Sequence, residues 1–170
     1  DTDIARRSMP GAILPERFHW AEDARAQIIK AVQFHAQLLG QKPRGMWPSE
    51  GSVCPELIPI ISDAGVQWIG TDEEILMRSI PLSSRGEGLY RPYRAEHEGR
   101  SIQIVFRDKE LSNLLSFTYG KMDPSAAVKD LLNRLAHIRE LTAGQNEPAL
   151  ATVILDGENP WENYLEGGRP

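Results

Sequence analysis

Two short stretches of the sequence combine acidic residues with tryptophan. The first is WPSE, which contains Trp47 and Glu50, and the second is DGENPW, which contains Asp156, Glu158 and Trp161. Two carboxyl groups brought together from distant positions can act as a general acid and a nucleophile or base. Tryptophan packs against the apolar C–H faces of sugar rings, while the sugar hydroxyls need acids and amides as partners. The two stretches therefore indicate a site for carbohydrate.

Each of these acids also has a simpler explanation. Glu50 could cap the helix that follows it, and Asp156 could cap the turn after its strand. The acid-rich stretch 156–164 could instead hold Ca²⁺ or Mg²⁺, which select carboxylate oxygens. Its acids do not have the spacing of the twelve-residue calcium loop, and no histidine lies among them. We therefore expect no metal ion and no other cofactor.

The apolar periodicity predicts the elements that position these residues. Unbroken apolar runs predict strands, and apolar residues at helical spacing predict helices. The strands are expected at 44–47, 66–71, 102–106 and 150–155, and the helices at 20–39, 56–65, 72–79 and 124–142. Strands that alternate with helices form parallel sheets, whose carboxyl ends carry the loops that bind ligands. The sequence therefore predicts an α/β fold with Glu50 and Asp156 on the same edge of one sheet.

The stretch 80–101 has no sustained periodicity and is rich in glycine, proline, arginine and tyrosine. A loop of this length in a compact domain is usually functional or disordered. We expect a loop excursion on the substrate side of a single domain that covers residues 1–170, with a mobile surface loop as the alternative.

The composition excludes several classes of protein. Of the 170 residues, 41% are hydrophobic, which is enough for one core, and the net charge of −5 disfavours nucleic acid as a partner. No apolar run approaches the roughly 18–20 residues that span a bilayer. Cys54 is the only cysteine, which excludes an intramolecular disulfide and favours a cytoplasmic location. Because the chain starts at Asp1 without methionine, we interpret it as a piece of a longer protein and leave secretion open.

Three successive motifs resemble those of glycoside hydrolase family 57, which includes α-amylases and amylopullulanases. They are 45-GMWPSEGSV-53, 105-VFRDKELSNLLSFTY-119 and 153-VILDGENPWENY-164, and the similarity extends from about residue 19 to residue 164. The resemblance implies an irregular (β/α)7 barrel related to the TIM barrel, and an enzyme that retains the anomeric configuration. By position, Glu50 matches the family's catalytic nucleophile and Asp156 matches its general acid/base.

The same resemblance implies which residues contact the substrate. Arg107 and Asp108 follow the third predicted strand, where the family places active-site groups. Independently of the resemblance, Trp47 and Trp161 flank the two acids and are expected to bind sugar through their indole faces. Glu158 is expected to orient either acid or to bind a sugar hydroxyl, with simple support of the turn as the alternative. The alternative to substrate contact for Arg107 and Asp108 is an ion pair between them that only holds the sheet edge together.

We expect a retaining glycoside hydrolase that acts on α-1,4 or α-1,6 linkages of α-glucans by double displacement. Its two catalytic carboxyl groups should lie roughly 5–5.5 Å apart. One alternative is a metal-dependent deacetylase or mannosidase-like barrel, although the four histidines are scattered at positions 19, 35, 97 and 137. Another is a non-catalytic carbohydrate-binding fragment.

The number of predicted strands is too small for a closed barrel. Four strands cannot close a barrel of seven, so we expect an open fragment of that barrel. Its unpaired edge predicts self-association of the chain, because proteins usually cover such edges. An incompletely walled site also predicts that the isolated chain is weakly active or inactive.

Overall fold

A computed structural model describes residues 1–82, 84–145, 147–158 and 160–169 of the chain. The α-helices are α1 (Thr2–Ser8), α2 (Ala21–Leu39), α3 (Leu57–Asp63), α4 (Glu73–Ser79), α5 (Arg85–Gly88), α6 (Lys109–Asn113) and α7 (Pro124–Leu141). The strands are β1 (Gly45–Met46), β2 (Trp68–Asp72), β3 (Tyr93–His97) and β4 (Arg100–Arg107). Short 3-10 turns lie at Ser49–Gly51, Tyr119–Lys121 and Leu165–Gly168, and a π-helical segment lies at Leu114–Thr118. None of the described helices is both long and apolar enough to cross a membrane.

The four strands form one sheet in the order β1-β2-β4-β3. β1 pairs in parallel with β2, and Gly45 lies opposite Trp68. β3 and β4 are joined by the two-residue turn Glu98–Gly99, in which both residues have positive φ (48° and 72°). A turn of this kind connects antiparallel neighbours. The α/β class and the parallel-dominated sheet predicted from the sequence are confirmed.

The last predicted strand, 150–155, differs from a regular strand. A single parallel bridge joins Thr152 to Arg107, and the Thr152 carbonyl accepts a hydrogen bond from Asp108 N at 2.8 Å. Further along, Ile154 N donates a hydrogen bond to the side-chain oxygen of Ser112 at 3.2 Å. In a regular strand this backbone N–H group would donate to a carbonyl of the neighbouring strand. The segment therefore runs beside the end of β4 without a continuous ladder.

The chain divides into two compact units, of which the first consists of Asp1–Ile69 and Arg94–Gln103 and the second of Gly70–Tyr93 and Ile104–Pro170. In the first unit, α2 and α3 pack against each other. α2 ends where Gly40 takes a left-handed conformation (φ 73°), a C-terminal cap that favours glycine. The buried apolar side chains of this unit are aliphatic: Val32, Ile58, Ile60, Ile61, Val66, Ile69 and Ile102.

The second unit has a core of mixed aliphatic and aromatic side chains, formed by Leu76, Leu89, Tyr90, Phe106, Leu111 and Ile138. Its longest helix is α7. The helix begins after Asp123, whose carboxylate accepts a hydrogen bond from Ala126 N at 3.0 Å, and Pro124 occupies the first helical position. α7 contributes Ile138 to the core.

The stretch 80–101 is more regular than the loop excursion expected from the sequence. It contains α5, β3 and the first residues of β4. Leu89 and Tyr90 are buried in the core of the second unit, and Tyr93 packs edge-on against Phe106 with ring centroids 5.5 Å apart. The packing of these large side chains, rather than an apolar period along the chain, holds the stretch in place.

Candidate active site

Glu50 lies on the turn that follows β1, in the first unit. The 3-10 turn Ser49–Gly51 contains it, and its backbone is left-handed (φ 55°, ψ 21°), a conformation that costs a residue with a Cβ about 1–2 kcal/mol. Its side chain is exposed. Glu50 does not cap the next helix, because α3 begins at Leu57. Non-glycine residues held in such backbone conformations cluster at functional sites.

Trp47 packs on the glycine that follows Glu50. A Cβ atom built on Gly51 would lie 2.7 Å from Cη2 and 2.8 Å from Cζ2 of the Trp47 ring. Gly51 also has a positive φ of 64°. The position therefore requires glycine both for its backbone conformation and for the approach of the indole, which remains 38% exposed. The turn presents an acid and an exposed aromatic surface within four residues.

Arg107 is the last residue of β4, in the second unit. Its Nη2 donates a hydrogen bond to Asn113 Oδ1 at 2.7 Å, and its Nη1 lies 3.4 Å from Oδ2 of Asp72, the last residue of β2. The Nε atom is buried without a hydrogen-bond partner among the described residues. The alternative Arg107–Asp108 ion pair is not the arrangement found, since Arg107 pairs with Asp72.

Asp108 is 1% exposed, and both of its carboxylate oxygens are used inside the protein. Oδ1 accepts hydrogen bonds from Arg85 Nη2 at 2.6 Å and from Leu111 N at 3.0 Å, so Asp108 caps α6. Oδ2 accepts a hydrogen bond from the Tyr90 hydroxyl at 3.0 Å. Burial and the Asp108 charge raise the pKa of Tyr90 to about 12. This geometry gives Asp108 a structural task, and its predicted contact with substrate stays a prediction.

Arg85 and Glu73 complete this partly buried network. The sequence interpretation missed both residues and placed Arg85 in the loop excursion. Arg85 binds Glu73 with two parallel hydrogen bonds, Nε to Oε1 at 3.0 Å and Nη2 to Oε2 at 2.8 Å. Burial lowers the pKa of Arg85, but its hydrogen bonds to Glu73 and Asp108 outweigh this effect and raise the pKa overall. The only signal in the sequence for a role of Arg85 was its position among small residues, just before Leu89 and Tyr90, which are buried in the structure.

The segment that carries Asp156 is attached to the second unit on both sides. Before it, the bonds of Thr152 and Ile154 described above fix the chain beside β4 and α6. After it, Asn163 Nδ2 donates to the Ser116 carbonyl at 3.0 Å, and the Tyr164 hydroxyl donates to the Leu115 carbonyl at 2.6 Å. A Cβ built on Gly120 would lie 2.5 Å from the Asn163 carbonyl oxygen, so the chain passes close to that glycine.

Between these attachments, the predicted site residues face solvent. Asp156 and Glu158 are exposed, and Trp161 is 46% exposed with its ring edge-on to Tyr164 at a centroid distance of 5.4 Å. The second unit thus brings Arg107, Asp108 and the segment leading to Asp156 to the end of β4. Glu50 and Trp47 belong to the first unit, and the expected separation of the two catalytic carboxyl groups stays a prediction.

One further cluster of possible metal ligands lies in the described part of the first unit. Ligand atoms of Asp1, Asp3 and His19 all lie within 4.8 Å of one another. The His19 ring contacts the Asp1 carboxylate, and Arg17 binds Asp3 with Nε and Nη2 at 3.0 and 2.8 Å from Oδ2. The hydrogen bond from Arg17 lowers the pKa of Asp3. These ion pairs give the cluster a structural explanation.

The structure thus describes an α/β chain with an exposed acid and an exposed tryptophan on each of two segments, Glu50 with Trp47 and Asp156 with Trp161. The sequence model of glycosyl hydrolase family 57 matches residues 11–170. The chain therefore belongs to glycosyl hydrolase family 57, as its motifs predicted.

Several known proteins are similar to parts of the chain. An α-amylase of Pyrococcus horikoshii is 32% identical over 96 residues, which are 56% of this chain and 15% of that protein. A 4-α-glucanotransferase of Thermococcus kodakarensis is 34% identical over 96 residues, 56% of this chain and 14% of that protein. A crystal structure of the 4-α-glucanotransferase from Thermococcus litoralis aligns with a TM-score of 0.61 and 27% identity, covering 81% of this chain and 19% of that one. The chain thus spans less than a fifth of the length of these relatives.

Proposed function

We propose that the protein containing this chain is a retaining enzyme that cleaves α-glucans. The observation that carries the proposal is Glu50, an exposed acid held in a left-handed backbone conformation on the turn after β1, next to the glycine on which Trp47 packs. Membership of glycosyl hydrolase family 57 supports it. The names of the relatives, α-amylase and 4-α-glucanotransferase, support α-glucan as the substrate class.

The proposed reaction is a double displacement in which two carboxyl groups exchange roles. The Glu50 carboxylate attacks the anomeric carbon and forms a glycosyl–enzyme ester. Asp156, protonated, gives its proton to the oxygen of the breaking glycosidic bond, so the leaving sugar departs as an alcohol. Asp156 then takes a proton from the incoming acceptor, which attacks the ester and releases Glu50. Two inversions at one carbon retain the anomeric configuration.

The acceptor in the second step decides between hydrolysis and transfer. Water gives hydrolysis, whereas a hydroxyl of a second glucan gives glucanotransfer, and both routes share the same glycosyl–enzyme. The relatives include enzymes named for each outcome. We propose α-1,4 linkages, α-1,6 linkages or both as the bonds cleaved.

Four residues are proposed to bind the sugar. Trp47 and Trp161, both partly exposed, offer indole faces to sugar rings. Glu158 is exposed on the same segment as Asp156 and can accept hydrogen bonds from sugar hydroxyls. Arg107 has donors left over after its bonds to Asp72 and Asn113.

The substitution Glu50→Gln tests the proposal. In the enzyme translated from the complete reading frame that contains these residues, it should lower the rate of maltooligosaccharide cleavage by roughly 10³-fold or more, because the amide cannot form the ester. Glu98→Gln is the matched control, since Glu98 is also a glutamate at positive φ (48°) but lies on the β3–β4 turn. It should leave the rate unchanged. A Glu50→Gln enzyme that works at the parent rate would require another nucleophile.

A further inference from the structure

Arg107 is held between two residues that no motif singled out. Asp72 ends β2 and Asn113 ends α6, and each faces one terminal nitrogen of the guanidinium, at 3.4 and 2.7 Å respectively. All three residues belong to the second unit and are partly exposed; the side chains of Arg107 and Asp72 are 20% and 25% exposed. Two fixed contacts on one planar group set the orientation of its plane.

Asp72 is itself oriented by the helix that follows it. Its Oδ1 accepts a hydrogen bond from Glu74 N at 3.0 Å and so caps α4, which leaves Oδ2 turned toward Arg107. The same carboxylate therefore links the start of α4 to the end of β4. At 3.4 Å this ion pair is longer than the charge-assisted hydrogen bond of a tight structural pair, which is about 2.7–2.9 Å, so holding the fold together is a weak reason for it.

The hydrogen-bonding capacity of Arg107 is also only partly used. A guanidinium has five N–H donors, and the contacts with Asp72 and Asn113 use two of them. The Nε donor is buried without a partner among the described residues. An arginine with a purely structural task normally satisfies its buried donors. The remaining N–H groups on the two terminal nitrogens are suited to the oxygen atoms of sugar hydroxyls.

We propose that Asp72 is a positioning residue of the glucan site, which together with Asn113 fixes the Arg107 guanidinium so that its free N–H groups bind a sugar hydroxyl. The inference rests on the proposed function, because it takes the ligand of Arg107 to be a glucan. Asp72 does not contact the sugar. It acts through Arg107, and that is the feature an experiment can isolate.

The test is a double-mutant cycle in the enzyme translated from the complete reading frame. Asp72→Asn keeps the cap of α4, because asparagine caps helices as well as aspartate, and removes only the charge that faces Arg107. We expect kcat/KM for maltooligosaccharides to fall by about fivefold to tenfold, mainly through KM, with an unchanged melting temperature. In an Arg107→Gln background, Asp72→Asn should have almost no further effect. Asn113→Ala should show the same dependence on Arg107.

Glu74→Gln is the matched control, because Glu74 lies two residues after Asp72 in the first turn of α4 but pairs with Lys109 instead of Arg107. It should leave kcat/KM unchanged.

If the effects of Asp72→Asn and Arg107→Gln multiply, Asp72 acts independently of Arg107 and the inference is wrong. The inference is equally wrong if Asp72→Asn lowers both the melting temperature and kcat while KM stays constant. Glu50→Gln reports separately on the proposed function: an active Glu50→Gln enzyme overturns that function, whereas the cycle tests only the coupling.

Discussion

Three non-glycine residues of the described chain have positive φ, and all are glutamates: Glu50, Glu98 and Glu166. Glu98 is explained by the two-residue β3–β4 turn, which requires positive φ at both positions. Glu166 lies in the 3-10 turn Leu165–Gly168. Left-handed backbone alone therefore does not mark a catalytic residue here. Glu50 differs in how closely an exposed indole approaches its turn: a Cβ built on Gly51 would lie 2.7 Å from the Trp47 ring, whereas one built on Gly168, in the turn of Glu166, would lie 3.5 Å from Trp161.

Gly51→Ala should damage both the turn and the site. The left-handed backbone should cost about 1–2 kcal/mol of the free energy of unfolding, and the clash with the Trp47 ring should add about 1–3 kcal/mol. Gly40→Ala is the matched control, because Gly40 has a similar φ (73°) but no described atom within 4 Å of the added Cβ. Urea denaturation of both variants measures the difference. Equal losses would show that Trp47 does not constrain the turn.

At the residue scale, the sequence singled out the acids and tryptophans of the two stretches but not how Arg107 and Asp108 are bonded. Arg107 and Asp108 are adjacent in sequence, and an ion pair between them was the alternative to contact with the substrate. Their actual partners, Asp72 and Arg85, lie 35 and 23 positions away. Successive residues of a strand point to opposite faces, so neighbours on the end of β4 face different partners. Such pairings depend on tertiary packing that residue spacing does not reveal.

At the scale of elements, α7 is fixed to the segment before it by a charged network on its surface. Asp130 Oδ2 accepts hydrogen bonds from the Tyr119 hydroxyl and from Arg134 Nε, both at 2.7 Å. Arg134 also contacts Glu110 of α6. The hydrogen bond from Arg134, followed by that from Tyr119, lowers the pKa of Asp130. Burial is the main reason that the pKa of Tyr119 is raised to about 12.

This network predicts part of the acid sensitivity of the chain. Because the pKa of Asp130 is lower in the folded than in the unfolded state, its stabilising effect is complete above the unfolded pKa of about 4 and is lost as the pH falls through the folded pKa. Asp130→Asn should therefore flatten the dependence of unfolding free energy on pH below about 4. Tyr119→Phe removes one of the two bonds and should give an intermediate slope. Urea titrations at several pH values test this, and an unchanged slope for Asp130→Asn would contradict it.

The sequence predicted the long helices well and the strands less well. α2 and α7 show apolar periodicity over many residues with clear end signals, Gly40 after one and Asp123 before the other. β3 was missed because its sequence, YRAEH, alternates charged with partly buried residues and its turn lacks the usual asparagine. The run 150–155 was predicted as a strand from its apolar composition, which indicates burial but not how its backbone groups are bonded.

At the scale of the whole molecule, each unit exposes apolar side chains on a helix. In the first unit Phe34 and Leu38 of α2 are 65% and 69% exposed, and in the second Val128 and Leu132 of α7 are 56% and 59% exposed. Surfaces of this kind are usually covered by other protein. Self-association and weak activity of the isolated chain stay predictions, as does a cytoplasmic location. The family could be predicted from three motifs, because the motifs are local in sequence, and the α/β class from the alternation of apolar runs with helical periodicity.

Azide rescue of the two acid variants tests the central claim most directly. In the enzyme from the complete reading frame, azide should replace the missing nucleophile of Glu50→Ala in a single displacement and give the inverted β-glucosyl azide. In Asp156→Ala, with an activated α-glucoside as substrate, azide should attack the glycosyl–enzyme and give the retained α-glucosyl azide. The anomeric configuration of each product is read by NMR. The same configuration from both variants, or full activity of either variant without azide, would contradict the assignment of Glu50 as nucleophile and Asp156 as acid/base.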